Sequence, residues 1–171
     1  MNHAYFSPGP DCRVAIEQAM ETALDELLIC VFTISDDRLS DAIQRAHRNG
    51  LTVRVLSDND KMDDRGNDIE RLAASGVNVR IDRSPEHMHH KFMVVDGHTV
   101  LTGSYNWTRS AETRNEENLV VLDDPVLAGR FAEEFERMLT VAPRVVGVAA
   151  AESWKHVLRG LWESGLRVDE L

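Results

Sequence analysis

The chain has 171 residues, 43% of them hydrophobic, 28% charged and 6% aromatic, with a formal net charge of −10 and two cysteines. Roughly 70% of the unfolded surface can be buried at this length, and the apolar fraction excludes a disordered chain. The longest uninterrupted apolar run, Leu27 to Phe32, is six residues, against the ~20 that a bilayer-spanning helix needs; with no basic and apolar leader in the first residues, no membrane-spanning segment and no secretory signal are expected, and the default location is cytoplasmic.

In chain order, Ala4, Tyr5 and Phe6 read as a short strand that stops at the turn cluster Ser7-Pro8-Gly9-Pro10. Ile16, Ala19, Met20, Ala23 and Leu24 recur at helical spacing and predict an amphipathic helix over 11–26. The apolar run that follows reads as a central strand buried on both faces. Ser35-Asp36-Asp37 caps a helix whose inner face is Leu39, Ala42, Ile43 and Ala46, and Gly50 ends it. A strand over 51–56, an acidic loop, a short helix closed by Gly76 and a strand over 77–81 complete a β-α-β-α-β-α-β order, which predicts parallel pairing. Two strands joined at Asp96-Gly97 then form a hairpin. A strand over 118–122 and a helix opened by Asp124-Pro125 follow.

The expected fold class is therefore α/β, a mixed but largely parallel sheet flanked by helices on both faces. Residues 1–140 are expected to form the catalytic domain, and residues 141–171 a spacer with a C-terminal amphipathic helix bearing Trp154 and Trp162. Cys12 and Cys30, without a paired spacing, read as small buried hydrophobes.

Acidity is uneven. Residues 78–114 hold five Lys or Arg against four Asp or Glu, so a polyanion would have to meet a local patch there rather than a basic molecule. Within that same segment polar residues crowd positions that a buried strand pair would make apolar. His89 and Lys91 are two apart, as are Ser104 and Asn106, and two facing strands would bring all four together. A phosphodiester needs fixed positive charge and neutral donors on its non-bridging oxygens, which Lys91 and Asn106 supply. A neutral imidazole can attack phosphorus, and an imidazolium can protonate the leaving oxygen. The chain holds one such His-x-Lys set, so a mechanism using two imidazoles needs two chains.

The full pattern, His89-x-Lys91-x4-Asp96-Gly97, then Gly103-Ser104-x-Asn106, then Glu117-Asn118, resembles the HKD motif of the phospholipase D superfamily. It is similar to the single-motif branch, which includes small bacterial nucleases and the mitochondrial cardiolipin hydrolase, or Zucchini-type, proteins. The resemblance runs from about residue 4 to 140 and takes in Phe6-Ser7-Pro8 and Val31-Phe32-Thr33-Ile34. It implies a phospholipase D-like fold and metal-independent phosphodiester hydrolysis in a homodimer with a shared active site. His89 of one subunit would be the nucleophile and the same histidine of the other the general acid, while Lys91, Asn106 and Ser104 would bind phosphate. Glu117 would orient the imidazole, and Asp96, at a turn, would act by positioning. No cofactor is expected. The zinc-finger-like insertion and the amino-terminal anchor of some animal relatives are missing from the sequence, so neither zinc nor a mitochondrial location carries over.

Other features have plainer readings. His87, His89 and His90 could be a metal cluster, but Lys91 opposes a cation beside them, and the acidic loop at Asp58, Asp60, Asp63 and Asp64 lacks EF-hand spacing. Trp107 and Arg109 either line the substrate site or, for Trp107, fill the core. Arg80, Arg83, Arg109 and Arg114 are the candidate polyanion patch. Single-stranded DNA or RNA is the expected substrate; phospholipid hydrolysis, on cardiolipin or phosphatidylcholine, is the alternative, and a non-catalytic nucleic-acid-binding module the third reading.

Overall fold

The structure is a computed structural model and describes residues 2–63, 66–82 and 84–145; the predicted C-terminal helix and Arg83 lie outside the described residues. The strands are β1 (His3–Ser7), β2 (Glu26–Val31), β3 (Thr52–Ser57), β4 (Asn78–Ile81), β5 (Lys91–Val95), β6 (Thr99–Gly103) and β7 (Glu117–Asp123). The helices are α1 (Asp11–Thr22), α2 (Asp37–Arg48), α3 (Ile69–Ala74), α4 (Arg109–Thr113) and α5 (Pro125–Leu139), with a 3-10 turn at Asn59–Asp63.

Alternation along β2 creates two cores. Leu27, Ile29 and Val31 join Ile16, Met20, Leu39, Ile43 and Leu72 on the face covered by α1, α2 and α3. Leu28 and Cys30 join Phe92, Val94, Ala128 and Phe135 on the face covered by α5. Each fully buried Leu or Ile is worth about 1.5–3 kcal/mol, so a strand that is apolar from Leu27 to Val31 becomes the centre of the sandwich. Both cysteines are buried, and desolvation, then the charge of Asp11, push the Cys12 thiol up to about 11.

The helix limits follow local chemistry. Asp36 caps α2 by accepting from the Arg38 backbone N–H at 3.1 Å, and the four predicted inner residues of that helix are all buried. Asp124 caps α5 by accepting from Val126 and Leu127 at 2.9 and 3.0 Å, with Pro125 in the first turn. Helix α1 stops at Thr22, short of the predicted 26, because Ala23 is extended and Asp96 holds the next three N–H groups in place (see below).

The seven-stranded sheet has the order β1-β7-β6-β5-β2-β3-β4. It is mixed and carries helices on both faces, as the sequence predicts, but its balance is not largely parallel: only β2-β3 and β3-β4 are parallel, and the other four pairings are antiparallel. Strand β1 does not lie beside β2. It crosses to the far edge and pairs antiparallel with β7, while the β5-β6 hairpin is inserted between β2 and β7. After α5 the chain returns to the opposite edge, where Val145 N–H donates to the Val79 carbonyl at 2.9 Å. That part of the expected spacer is thus paired with β4.

Candidate active site

The site lies at one end of the sheet, where β2 and β6 finish and β5 and β7 begin. Val31 is opposite Lys91 in the β2-β5 register. The next residue, Phe32, has its N–H bonded to the His90 carbonyl at 2.9 Å, which fixes the segment carrying His89. The Lys91 side chain is only 8% exposed, and its ammonium donates to the His89 carbonyl at 2.7 Å. The Phe32 ring joins the two: its centroid is 4.6 Å from that of His89 and 5.0 Å from the Lys91 Nζ. An ammonium over an aromatic face is attracted to it even when partly desolvated.

Electrostatics set the protonation states. Desolvation, then the Lys91 charge, hold the His89 imidazole below its ordinary range, which favours the neutral, nucleophilic form at neutral pH. Desolvation also lowers Lys91, with Glu117 and Asp58 pulling in the opposite direction.

The second half of the site is built on a close backbone approach. Ser104 and Tyr105 N–H groups both donate to the Asn118 carbonyl, at 3.1 and 3.3 Å. A Cβ on Gly103 would lie 2.1 Å from that oxygen, so this position requires glycine. The Ser104 hydroxyl accepts from the Asn118 backbone N–H at 3.1 Å, which joins the Gly-Ser-x-Asn and Glu-Asn elements into one unit. Among the described residues the buried Asn106 Oδ1 has no hydrogen-bond partner. An orphaned amide oxygen of this kind costs roughly 1–3 kcal/mol, a cost that a bound ligand or water can offset.

Several predicted residues stand elsewhere or act differently. Asp96 is not part of the chemical site. It is at the opposite end of β5, in a left-handed turn with φ 51°, and its carboxylate accepts from the N–H groups of Leu24, Asp25 and Glu26 at 2.8–2.9 Å. Trp107 does not line a substrate surface: it is 2% exposed, and its backbone bonds Thr33, Ser35 and Asp36. Arg109 is exposed, with its Nε 3.8 Å from the buried Asp36 carboxylate. Arg80 is half-buried and donates to the Ala142 carbonyl at 2.8 Å, so it belongs to the β4 edge rather than to a free cationic patch. Glu117 accepts from the Asn115 amide at 3.0 Å; among the described residues no bond from Glu117 to His89 is present within one chain. His90 turns away from the site to meet Phe92 and the Glu134 carboxylate on α5, its Nε2 3.8 Å from Oε1.

Sequence reasoning missed three contributors. Phe32 looked like the last core residue of an apolar strand. Ser7 is buried, donates to the Asn115 carbonyl at 2.9 Å and accepts from the Glu117 N–H at 3.2 Å, so β1 supports the carboxylate. Asp58, which the sequence places in the acidic loop, is fully buried and accepts from Met88 N–H at 2.8 Å; the one available signal was its place directly after a buried strand. A groove of about 350 Å³ runs from His89 past His90 to Arg137 and Met138 on α5. Asp58 and Asp60, together with His87, form a group with metal-ligand chemistry. Among the described residues His87, His89 and His90 do not gather as a ligand set; His90 meets Phe92 and Glu134 instead.

A family model described as cardiolipin synthase, PLD-like domain, matches residues 16–139. The chain belongs to the phospholipase D-like family. Within that family it is 41% identical over 136 residues to the mitochondrial cardiolipin hydrolase of Chlamydomonas reinhardtii, covering 80% of this chain and 61% of the relative. The protein of that name from Xenopus tropicalis is 48% identical over 112 residues, covering 66% and 53%. The chain thus spans between about half and three-fifths of the curated relatives it matches here. The crystal structure of Nuc, a phospholipase D family member from Salmonella typhimurium, superposes with a TM-score of 0.81 at 27% identity, over 86% of this chain and 99% of that one. The two cardiolipin hydrolases are named as mitochondrial, which overturns the expected cytoplasmic location. Among the described residues, no helix is long and apolar enough to cross a membrane.

Proposed function

We propose that this phospholipase D-like chain is a phosphodiesterase that works through a phosphohistidine at His89, in a homodimer whose two sites are joined. The observation that carries the reading is the pairing of a neutral-leaning His89 with a sheltered Lys91 ammonium against one aromatic ring. An imidazole nitrogen of His89 attacks phosphorus, the bond to the leaving oxygen breaks, and the imidazolium of the second subunit's equivalent histidine gives that oxygen its proton. Water then attacks the phosphohistidine, losing a proton to the same histidine, and the nitrogen–phosphorus bond breaks to release a phosphate monoester and free imidazole. Lys91 and Asn106 stabilise the charge that builds on the non-bridging oxygens, with Ser104 as a further donor.

Single-stranded DNA or RNA is the first substrate reading: the groove at His89 is open, and the similarity to Nuc extends over 99% of that chain. Phospholipid is the second reading, favoured by the name of the two relatives, cardiolipin hydrolase. The test is a parallel assay in excess EDTA on single-stranded and duplex DNA, RNA, and vesicles of cardiolipin or phosphatidylcholine. Cleavage of single strands with intact lipid supports the nuclease; the reverse outcome supports the lipase; and loss of all activity in EDTA overturns metal-independent chemistry. Light scattering should give about twice the mass of one chain, and an active monomer would contradict the joined site.

A further inference from the structure

We propose that Asp58, Asp60 and His87 form a binding site for one divalent transition-metal cation, separate from the residues that hold phosphate. The three come from two stretches that look unrelated in sequence, the acidic loop after β3 and the segment before β5. Their ligand atoms all lie within 4.8 Å of one another.

The spacing of the donors is the first argument. The His87 Nδ1 is 3.6 Å from an oxygen of Asp58 and 3.6 Å from an oxygen of Asp60, too long for a hydrogen bond. A tetrahedral ion with bonds of about 2.0–2.2 Å holds its ligands about 3.3–3.6 Å apart. The imidazole therefore stands at the separation that an ion sets.

The second argument is a buried charge without a fixed cation. Asp58 is 0% exposed, and its carboxylate is aimed by the N–H groups of Met88 and Asp60, at 2.8 and 3.0 Å. Among the described residues no Lys or Arg pairs with it, and the nearby Asp82 adds negative charge. A buried carboxylate left this way is costly unless paired or metal-bound. The opposing charges close by are Lys61 and Lys91, whose ammoniums sit over the Phe32 ring 4.9 and 5.0 Å from its centroid.

The donor set then selects the ion. Two carboxylate oxygens and an imidazole suit Zn²⁺ and its neighbours better than Mg²⁺ or Ca²⁺, which prefer oxygen alone. Asp60 and His87 are 59% and 55% exposed at the side chain, which leaves the fourth position to water. An ion bound there ties the loop after β3 to the segment that carries His89.

Calorimetric titration of the full chain, stripped with EDTA and then titrated with ZnCl₂, tests this, with thermal unfolding run alongside. The expected result is one saturable site per chain and a rise in Tm with Zn²⁺ that Mg²⁺ does not reproduce. Asp60→Asn and His87→Ala should each weaken binding at least tenfold while leaving the metal-free Tm unchanged, because both side chains are exposed. Absence of saturable binding, a Kd unaltered in both variants, or an equal response to Mg²⁺ would overturn the proposal. Activity is not read in any arm, so the outcome is independent of the proposed hydrolysis.

Discussion

The two ends of β5 carry residues from one short sequence pattern and use them for unlike work. At its start, Lys91 and the preceding His89 share a ring contact and a sheltered ammonium. At its far end, Asp96 spends its carboxylate on three backbone N–H groups and so fixes where α1 ends and β2 begins. A strand of this length separates its ends by about 3.3 Å per residue, so adjacency in a motif does not make a shared site. One end is the proposed chemical site and the other fixes architecture.

The largest effect is expected for His89→Ala. Hydrolysis should fall by at least ~10⁴-fold with Tm unchanged, since the ring is exposed; residual turnover close to wild type would end the covalent mechanism. Lys91→Ala should lower kcat by about 10²–10³-fold, the scale of losing one charge-stabilising donor, measured by steady-state kinetics on the folded variant. Asp96→Ala should do the converse, costing about 2 kcal/mol of stability in urea unfolding while kcat per folded molecule stays within a few fold.

That last effect has a pH signature. Desolvation opposes it, but the three backbone hydrogen bonds hold the Asp96 carboxyl below its ordinary range. The stabilisation is therefore fully present above the unfolded pKa of about 3.9 and is lost as pH falls through the folded value. The stability gap between wild type and Asp96→Asn should close in that acid window; a gap that persists unchanged below it would assign the effect to packing. The smallest effect is a titration shift. NMR should place the His89 midpoint below the ordinary histidine value of about 6.5, and Lys91→Met should move it upward by removing the neighbouring charge.

How much could be read in advance varied with the kind of signal. Strand β2 and helix α2 were legible because burial writes itself into periodicity: every predicted inner residue of α2 is buried. Pairing was not legible. The residues of β1 alternate no differently whether the strand lies beside β2 or, as found, beside β7, and so the parallel count was too high. Helix α4, five residues long, is too short to show a period. In the candidate site, His89, Lys91, Ser104 and Asn106 were singled out from residue chemistry and spacing. Trp107 was ambiguous because an aromatic beside polar residues looks the same whether it faces ligand or core. Phe32 and Asp58 were hidden by their neighbours, one inside an apolar run and the other inside an acidic one.

The bond from Lys91 to the His89 carbonyl leaves a simple proton arithmetic. An ammonium has three N–H bonds, and one is already committed within the chain. Two remain for an incoming anion, matching the two non-bridging oxygens of a phosphodiester. The committed bond also fixes the rotation of the head group before substrate arrives, so little side-chain freedom is left to lose when it does.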